Sequence, residues 1–213
     1  MSIKVLGISG SPINNSNTDR LVKTILDATG LDYEFVKLSS INVKPCFACK
    51  RCVRDNICKV NDDFPALAEK IKAADALVLG SYIPYNQIDA FSKALLERFW
   101  SLRHIKNLLN GKFCATVLTG LSPEALAQAN KAIATELVDY EDMKLLDQLT
   151  VQGNIPCVTC GVGDDCKKSG IRKHMPGVKS ADIPYARVED QTETCKEAVR
   201  IGERIRGCVL ANQ

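Results

Sequence analysis

A chain of 213 residues suits one α/β domain with decorations, and 46 % hydrophobic residues exclude a disordered chain. A formal charge of +3 is too small for a nucleic-acid binder, and no run approaches the ~18 apolar residues of a membrane span. Met1-Ser2-Ile3-Lys4 leads straight into an apolar segment with no export signal, so the ten cysteines are expected in a reducing cytoplasm, serving metal or redox chemistry.

Ile3 to Ile8 is a short apolar run that reads as a first strand. A polar loop follows, and a helix pattern starts near Asn17, with Leu21, Val22, Ile25 and Leu26 on one face and Gly30 as its stop. Tyr33 to Leu38 alternates as a second strand. The run Cys46-x2-Cys49-x2-Cys52-x5-Cys58 comes next. Pro65 opens a helix carrying Leu67, Ile71 and Ala74, and Ala76 to Gly80 reads as a strand buried on both faces. A long helix is expected from Ile88 to Leu109, ended by Asn110-Gly111. Phe113 to Thr119 is a fourth strand. Ser122-Pro123-Glu124 starts a helix that runs to about Tyr140. A short strand around Leu149 to Val151 and a last helix from Val188 to Val209 complete the chain.

Strands alternating with helices predict an α/β fold, a doubly wound five-stranded parallel sheet of the flavodoxin-like order 2-1-3-4-5. One domain is expected over residues 1–213. A cysteine-rich insertion spans 44–63 after strand 2, and a cysteine- and glycine-rich loop spans 153–187 in a C-terminal extension.

Four thiolates within thirteen residues can wrap one [4Fe–4S] cube, in which each iron takes one cysteine. A zinc site and a disulfide pair are the other readings of Cys46, Cys49, Cys52 and Cys58. The second group, Cys157-x2-Cys160-x5-Cys166 with Cys195 further on, admits a zinc site, a second cluster, a dithiol–disulfide couple or structural thiols. Cys114 and Cys208 fall in predicted core positions and read as packed thiols. Lys167, Lys168, Arg172 and Lys173 form a basic stretch that reads as a solvated face.

In such a sheet, ligands bind at the carboxyl ends of the strands. The first loop there is Ser9-Gly10-Ser11-Pro12-Ile13-Asn14-Asn15-Ser16-Asn17-Thr18. It is neither an ATP P-loop nor a dinucleotide fingerprint. Its hydroxyls and amides at a helix start suit a phosphate monoester, or an ordinary capped loop.

Gly7-Ile8-Ser9-Gly10-Ser11-Pro12, then Ser16-Asn17-Thr18, resembles the FMN-phosphate loop of the NADPH-dependent FMN reductase family. The cysteine run after the second strand, with Asp62 and Asp63 behind it, resembles that of the iron–sulfur flavoproteins, a branch of that family. The likeness covers about residues 3 to 120. It implies that Ser9, Ser11, Ser16, Asn17 and Thr18 bind the FMN phosphate. It also implies that Cys46, Cys49, Cys52 and Cys58 hold a [4Fe–4S] cluster. The second flavin loop carries Pro84, Tyr85, Asn86, Gln87 and Ile88, and the third Thr119 and Gly120. Two departures stand out. Family loops usually place a Pro before a Tyr, where this chain has Tyr82 before Pro84. They also often have Arg after Ser-Pro, where this chain has Ile13.

The resemblance implies an oxidoreductase linking one-electron carriers such as ferredoxin to a small oxidant or quinone, assembled as a homodimer or homotetramer. Leu95 to Leu109, with Phe99, Trp100 and Leu102, is the helix face expected to meet a second subunit. No catalytic side chain is called for. The alternatives are an NAD(P)H-dependent flavin or quinone reductase, and a non-enzymatic zinc-stabilised flavodoxin-like protein. His104 reads as a packed or surface histidine, and Asp139-Tyr140-Glu141-Asp142 as a solvated turn.

Overall fold

The computed structural model describes residues 4–212. Five strands, β1 (Val5–Ser9), β2 (Tyr33–Lys37), β3 (Ala76–Tyr82), β4 (Phe113–Gly120) and β5 (Lys144–Gln152), form one parallel sheet in the order β2-β1-β3-β4-β5. This is the predicted flavodoxin-like fold. Ile3, expected to open β1, lies outside the described residues.

Successive strand residues point to opposite faces, so each apolar strand feeds two cores. Val5, Ala76, Val78, Ala115 and Val117 pack toward α1 (Asn17–Thr29) and α6 (Thr192–Ala211). Leu6, Ile8, Leu77, Cys114 and Leu118 pack toward α2 (Phe64–Ala73), α3 (Ala90–Phe99) and α4 (Pro123–Ala134). Leu21, Val22, Ile25 and Leu26 of α1 are wholly buried, each stabilising the fold by about 1.5–3 kcal/mol. α1 and α6 touch at Gly202, where a Cβ would stand 2.4 Å from the Ile25 carbonyl oxygen. Among the described residues no helix is long and apolar enough to cross a membrane.

α1 begins at Asn17 and ends at Gly30, whose φ of 59° makes the left-handed cap that glycine adopts freely. Ser16 and Asp19 close a capping box at its start. The expected long helix from Ile88 to Leu109 is shorter. Asp89 caps α3, and after Phe99 the chain tightens into a 3-10 turn, Trp100–Leu102. Gly111, at φ 75°, serves the turn into β4 rather than a helix end. α4 continues through a π-helical turn, Thr135–Tyr140. β5 is longer than expected, because its half-buried polar positions disguise the edge strand. α6 begins at Thr192, after a short 3-10 turn at Val188–Asp190.

The face expected to meet a second subunit is core. Leu95, Phe99, Leu102 and Leu109 are buried inside their own chain; Trp100 and Leu108 are half-buried, and Ile105 is exposed beyond the end of the helix. Phe99 and Leu102, named for that face, therefore pack within their own domain.

Candidate functional site

The loops at the carboxyl ends of β1, β3 and β4 meet. Gly10 N–H donates to the Gly80 carbonyl (2.8 Å), Ile83 N–H to the Thr119 carbonyl (2.9 Å), and the Thr18 and Thr119 hydroxyls share a 2.7 Å hydrogen bond. The three predicted flavin loops therefore form one continuous rim.

Within the first loop most side chains are committed inward. The Ser9 hydroxyl is buried and donates to Asp19 Oδ1 (2.6 Å), and Ser11 N–H donates to Ser9 Oγ (3.3 Å). Ser16 Oγ accepts from Asp19 N–H (3.1 Å). Asn17 Nδ2 donates to the Ala186 carbonyl (2.8 Å), and its Oδ1 accepts from Arg20 and from Val188 N–H. The backbone amides of Asn17 and Thr18 donate to nothing among the described residues. They are the orphan donors that every helix start leaves.

Two charged residues support this loop. Asp19 is 2 % exposed, and Lys37 Nζ, from the end of β2, donates to its Oδ2 (2.6 Å) and to the Ile13 carbonyl (2.8 Å). The ammonium thus reaches the loop at the residue that stands where the family often has Arg. Sequence reasoning missed Asp19, although Ser16-x-x-Asp19 is a capping-box signature.

The second loop is built on buried Asp89. Its carboxylate accepts from Ser81 Oγ (2.6 Å), Ser92 N–H (2.9 Å) and Ser92 Oγ (2.7 Å). Burial raises its pKa above the ordinary value, against those serine hydrogen bonds. A Cβ at position 10 would stand 2.1 Å from Ser92 Oγ and 2.4 Å from Asp89 Oδ2, so only glycine lets β1's loop pass here. Pro84–Asn86 form a 3-10 turn in which Tyr85 (φ 52°) and Asn86 (φ 64°) are left-handed. Such backbone costs about 1–3 kcal/mol per residue and gathers at functional sites. Tyr85 is 99 % exposed, Gln87 is exposed, and Pro84 and Ile88 are half-buried.

The four cysteines of the first run line one cavity of about 360 Å³, together with Arg98, Trp100, Arg103 and Glu141. The loop winds through left-handed Ala48 (φ 50°), Lys50 (φ 57°) and Asn56 (φ 56°). Ala48 N–H donates to Cys46 Sγ (3.4 Å), and Arg51 Nε donates to Cys49 Sγ (3.4 Å), which holds the Cys49 thiol below its usual pKa. Burial raises that of Cys52, whose sulfur lies 3.6 Å from His104 Nε2. His104 in turn packs on Trp100 in a tilted pair, with ring centroids 4.1 Å apart and planes at 47°. No three His, Cys, Asp or Glu side chains among the described residues converge as a single-ion site. The four thiols stand instead around a shared space, a donor set that fits a multi-iron cluster.

Both ends of this loop are fixed by one guanidinium. Arg98 NH1 donates to the Lys44 carbonyl (2.8 Å) and to Asp62 Oδ2 (2.6 Å), and NH2 to Asp62 Oδ1 (3.1 Å). Both side chains are wholly buried. Burial disfavours Asp62's charge, but Arg98 and the Lys44 and Phe64 amides outweigh it and hold the carboxyl below its ordinary pKa. Arg98 is itself pushed up, because Asp62 and the Cys58 sulfur outweigh its burial. Its Nε has no hydrogen-bond partner among the described residues. The signal missed in the sequence was a lone arginine on an apolar helix face, between Leu95 and Phe99.

Glu141 corrects another reading. It belongs to no solvated turn: it is 4 % exposed, and burial pushes its pKa up to about 7 despite Arg103 NH1 at 3.3 Å.

The second cysteine group follows β5. Gly170 N–H donates to Cys157 Sγ (3.3 Å) and Lys168 N–H to Cys166 Sγ (3.4 Å). Ser169 and Gly170 hold the Cys157 thiol below its usual pKa. Cys195 lies apart, its thiol donating to the Val188 carbonyl (3.1 Å). Lys167, Lys168, Arg172 and Lys173 are exposed.

A doubly wound sheet with a composite loop rim over its first strand, and a cysteine cavity beside it, defines a flavodoxin-fold redox protein. Residues 3–154 match the NADPH-dependent FMN reductase family. Iron–sulfur flavoproteins are among the chain's relatives. It is 32 % identical over 179 residues to one from Methanocaldococcus jannaschii, covering 79 % of this chain and 89 % of that protein. It is 30 % identical over 202 residues to one from Archaeoglobus fulgidus, covering 91 % and 98 %. The chain belongs to the iron–sulfur flavoprotein branch of the NADPH-dependent FMN reductase family, and it is a flavin-dependent oxidoreductase. Solved structures agree on the fold. A Trp repressor binding protein from Bacillus subtilis matches with TM-score 0.62 at 14 % identity, over 93 % of this chain and 98 % of that one. An apo NADH:FMN oxidoreductase matches with TM-score 0.59 at 15 % identity, over 96 % and 88 %.

Proposed function

We propose that this oxidoreductase binds FMN on the loop rim and a [4Fe–4S] cluster in the cysteine cavity, and transfers electrons between them. The phosphate would lie at the start of α1, where the Asn17 and Thr18 amides and the helix dipole favour a dianion. Ser9, Ser11 and Ser16 shape that loop from beneath. Pro84, Tyr85, Asn86, Gln87 and Ile88 would border the ring on one side, and Thr119 and Gly120 on another. Exposed Tyr85 has the freedom to stack on it. Cys46, Cys49, Cys52 and Cys58 would hold the cluster. FMN exchanges electrons in pairs or singly and a cluster exchanges them singly, so the pair joins two-electron to one-electron chemistry.

The observation that carries this reading is the cavity shared by all four cysteines. Ferredoxin or a similar carrier is the proposed donor, and a small oxidant or quinone the acceptor, in a reducing cytoplasm where ten free thiols persist. An even homo-oligomer is the assembly implied by family likeness, and light scattering tests it.

The family's own description favours a second reading, hydride transfer from NADPH to the flavin with a structural cysteine loop. Anaerobic stopped-flow mixing separates the two: fast bleaching of the flavin by NADH or NADPH supports the reductase. The cluster is tested by Cys49→Ser, which is expected to lose most of the loop's iron and sulfide while keeping FMN. Unchanged iron in that variant would refute the assignment, and zinc without iron in the parent protein would favour a zinc-stabilised loop.

A further inference from the structure

The two cysteine groups share one spacing. Cys49-x2-Cys52-x5-Cys58 and Cys157-x2-Cys160-x5-Cys166 are the same three-cysteine pattern on two separate segments.

Both segments turn backbone amides onto sulfur, at different places in the pattern: Ala48 N–H donates to Cys46, just ahead of the first three-cysteine pattern, and Lys168 N–H to Cys166, the last cysteine of the second, both at 3.4 Å. In the second segment Gly170 N–H reaches Cys157 Sγ as well (3.3 Å). Amides of one short turn therefore meet the sulfurs of two cysteines nine positions apart, which brings Cys157 and Cys166 beside the same turn. The intervening chain folds back tightly. A Cβ at Gly163 would stand 2.2 Å from the Cys157 carbonyl oxygen, so the stretch between Cys160 and Cys166 lies flat on Cys157 only because residue 163 is glycine. Buried Ser169 and Ile171 anchor the turn from below.

The segment also sits at the chemical end of the fold. It leaves the carboxyl end of β5, and the Ala186 carbonyl, at its far end, accepts from both Asn17 (2.8 Å) and Asn154 (2.9 Å). It is thereby tied to the first turn of α1.

We propose that Cys157, Cys160 and Cys166 ligate a second iron–sulfur cluster. Amide N–H groups directed at sulfur favour the thiolate that iron binds, and they tune the charge of a cluster. A dithiol–disulfide couple would use Cys157 and Cys160 and leave the amide-held Cys166 without a part. A structural zinc site wants a fourth protein ligand, and the Cys195 thiol is engaged at Val188. Three thiolates match a three-iron cluster, or a cube whose fourth iron takes a solvent or oxygen ligand. The inference leans on the proposed reading of the first loop only through the shared spacing.

The test uses full-length protein purified without oxygen, with iron, sulfide and zinc counted per chain. Three variants are compared with the parent: C157S/C160S/C166S, C46S/C49S/C52S/C58S, and the single C160A, whose side chain is exposed. Removing the second group is expected to lower iron by about three or four atoms per chain, with matching sulfide. The first-group variant should retain those atoms, and C160A should lose most of them while circular dichroism stays that of the parent. Parent-level iron in both C160A and the triple variant overturns the proposal. So does zinc in place of iron in the first-group variant, or a Cys157–Cys160 disulfide accompanied by no iron loss. If the first-group variant loses no iron, the first-loop reading fails while this one stands.

Discussion

Arg98→Met is expected to destabilise the protein more than any other single change on the wall of the cysteine cavity. Methionine keeps the volume of the side chain and its packing on Phe64, over whose ring the guanidinium lies at 4.4 Å. It removes three charge-assisted hydrogen bonds, two to Asp62 and one to the Lys44 carbonyl. Asp62, wholly buried, is left with the Lys44 and Phe64 amides as its only partners among the described residues. Breaking a buried pair from one side costs about 3–5 kcal/mol, because the surviving charge is stranded. At about 2–4 °C per kcal/mol for a chain of this size, Tm should fall by about 6–20 °C. The pH dependence follows from Asp62. Its folded pKa lies below the ordinary 3.8 of a free aspartate, so its contribution is complete above that value and is lost as the pH falls through the folded pKa. The gap between parent and variant should be constant from pH 6 to 8 and shrink in stronger acid. Urea unfolding followed by circular dichroism reads both. A Tm within about 2 °C of the parent at pH 7 would show that Arg98 does not anchor the loop.

Three further outcomes are expected. Gly10→Ala forces a methyl group into the Asp89–Ser92 pair and should cost about 1–3 kcal/mol in urea unfolding, together with weaker FMN binding; a parent-like midpoint would contradict the close approach. Burial pushes the folded pKa of Glu141 up to about 7 from the ordinary 4.5, so stability present below pH 4.5 is lost as pH rises through 7. Glu141→Gln should flatten that slope and exceed the parent's stability at pH 8, and an unchanged slope would remove Glu141 as its source. Lys37→Met leaves the Asp19 carboxylate unneutralised under the proposed phosphate loop and should weaken FMN binding by about tenfold, equal to about 1.4 kcal/mol. Riboflavin, which has no phosphate, should bind the variant as it binds the parent; fluorescence titration checks the contrast, and equal losses for both flavins would refute it.

The sheet was legible because buried parallel strands are nearly continuous apolar runs, and Ala76–Gly80 and Phe113–Thr119 have no competing reading. α1 was legible at both ends, through Ser16 and Gly30. What failed depended on distant partners. Leu95, Phe99 and Leu102 have the spacing of an interface face and of a core face alike. Only their burial in one core cluster with Leu77 and Leu118 decides between them. The Asp139–Asp142 acids look solvated as a run of charge, yet the π-helical turn rotates Glu141 inward toward Arg103. Lys37 ends a strand that reads as ordinary, and its reach to Ile13 exists only in three dimensions. The left-handed backbone of Tyr85 carries no sequence mark, since a tyrosine gives no hint of positive φ.

The two proposed sites are joined by one helix. Asp89 caps α3 and fixes the proposed flavin-side loop through Ser81 and Ser92, and the helix carries in its last turn Arg98, which fixes both ends of the cysteine loop. Each end is held by a buried ionisable group with several partners, so neither loop can shift without breaking charged hydrogen bonds. The interior, Phe91 to Arg98, contains no glycine or proline at which the helix would bend. Nine residues at 1.5 Å each set Asp89 and Arg98 about 13–14 Å apart along the axis. The loops themselves are irregular and partly left-handed, and they have no such internal ruler. With FMN and a cluster at the proposed sites, their separation would be a property of α3, and the rate of transfer between them would depend on a helix that supplies neither a thiolate nor a phosphate contact.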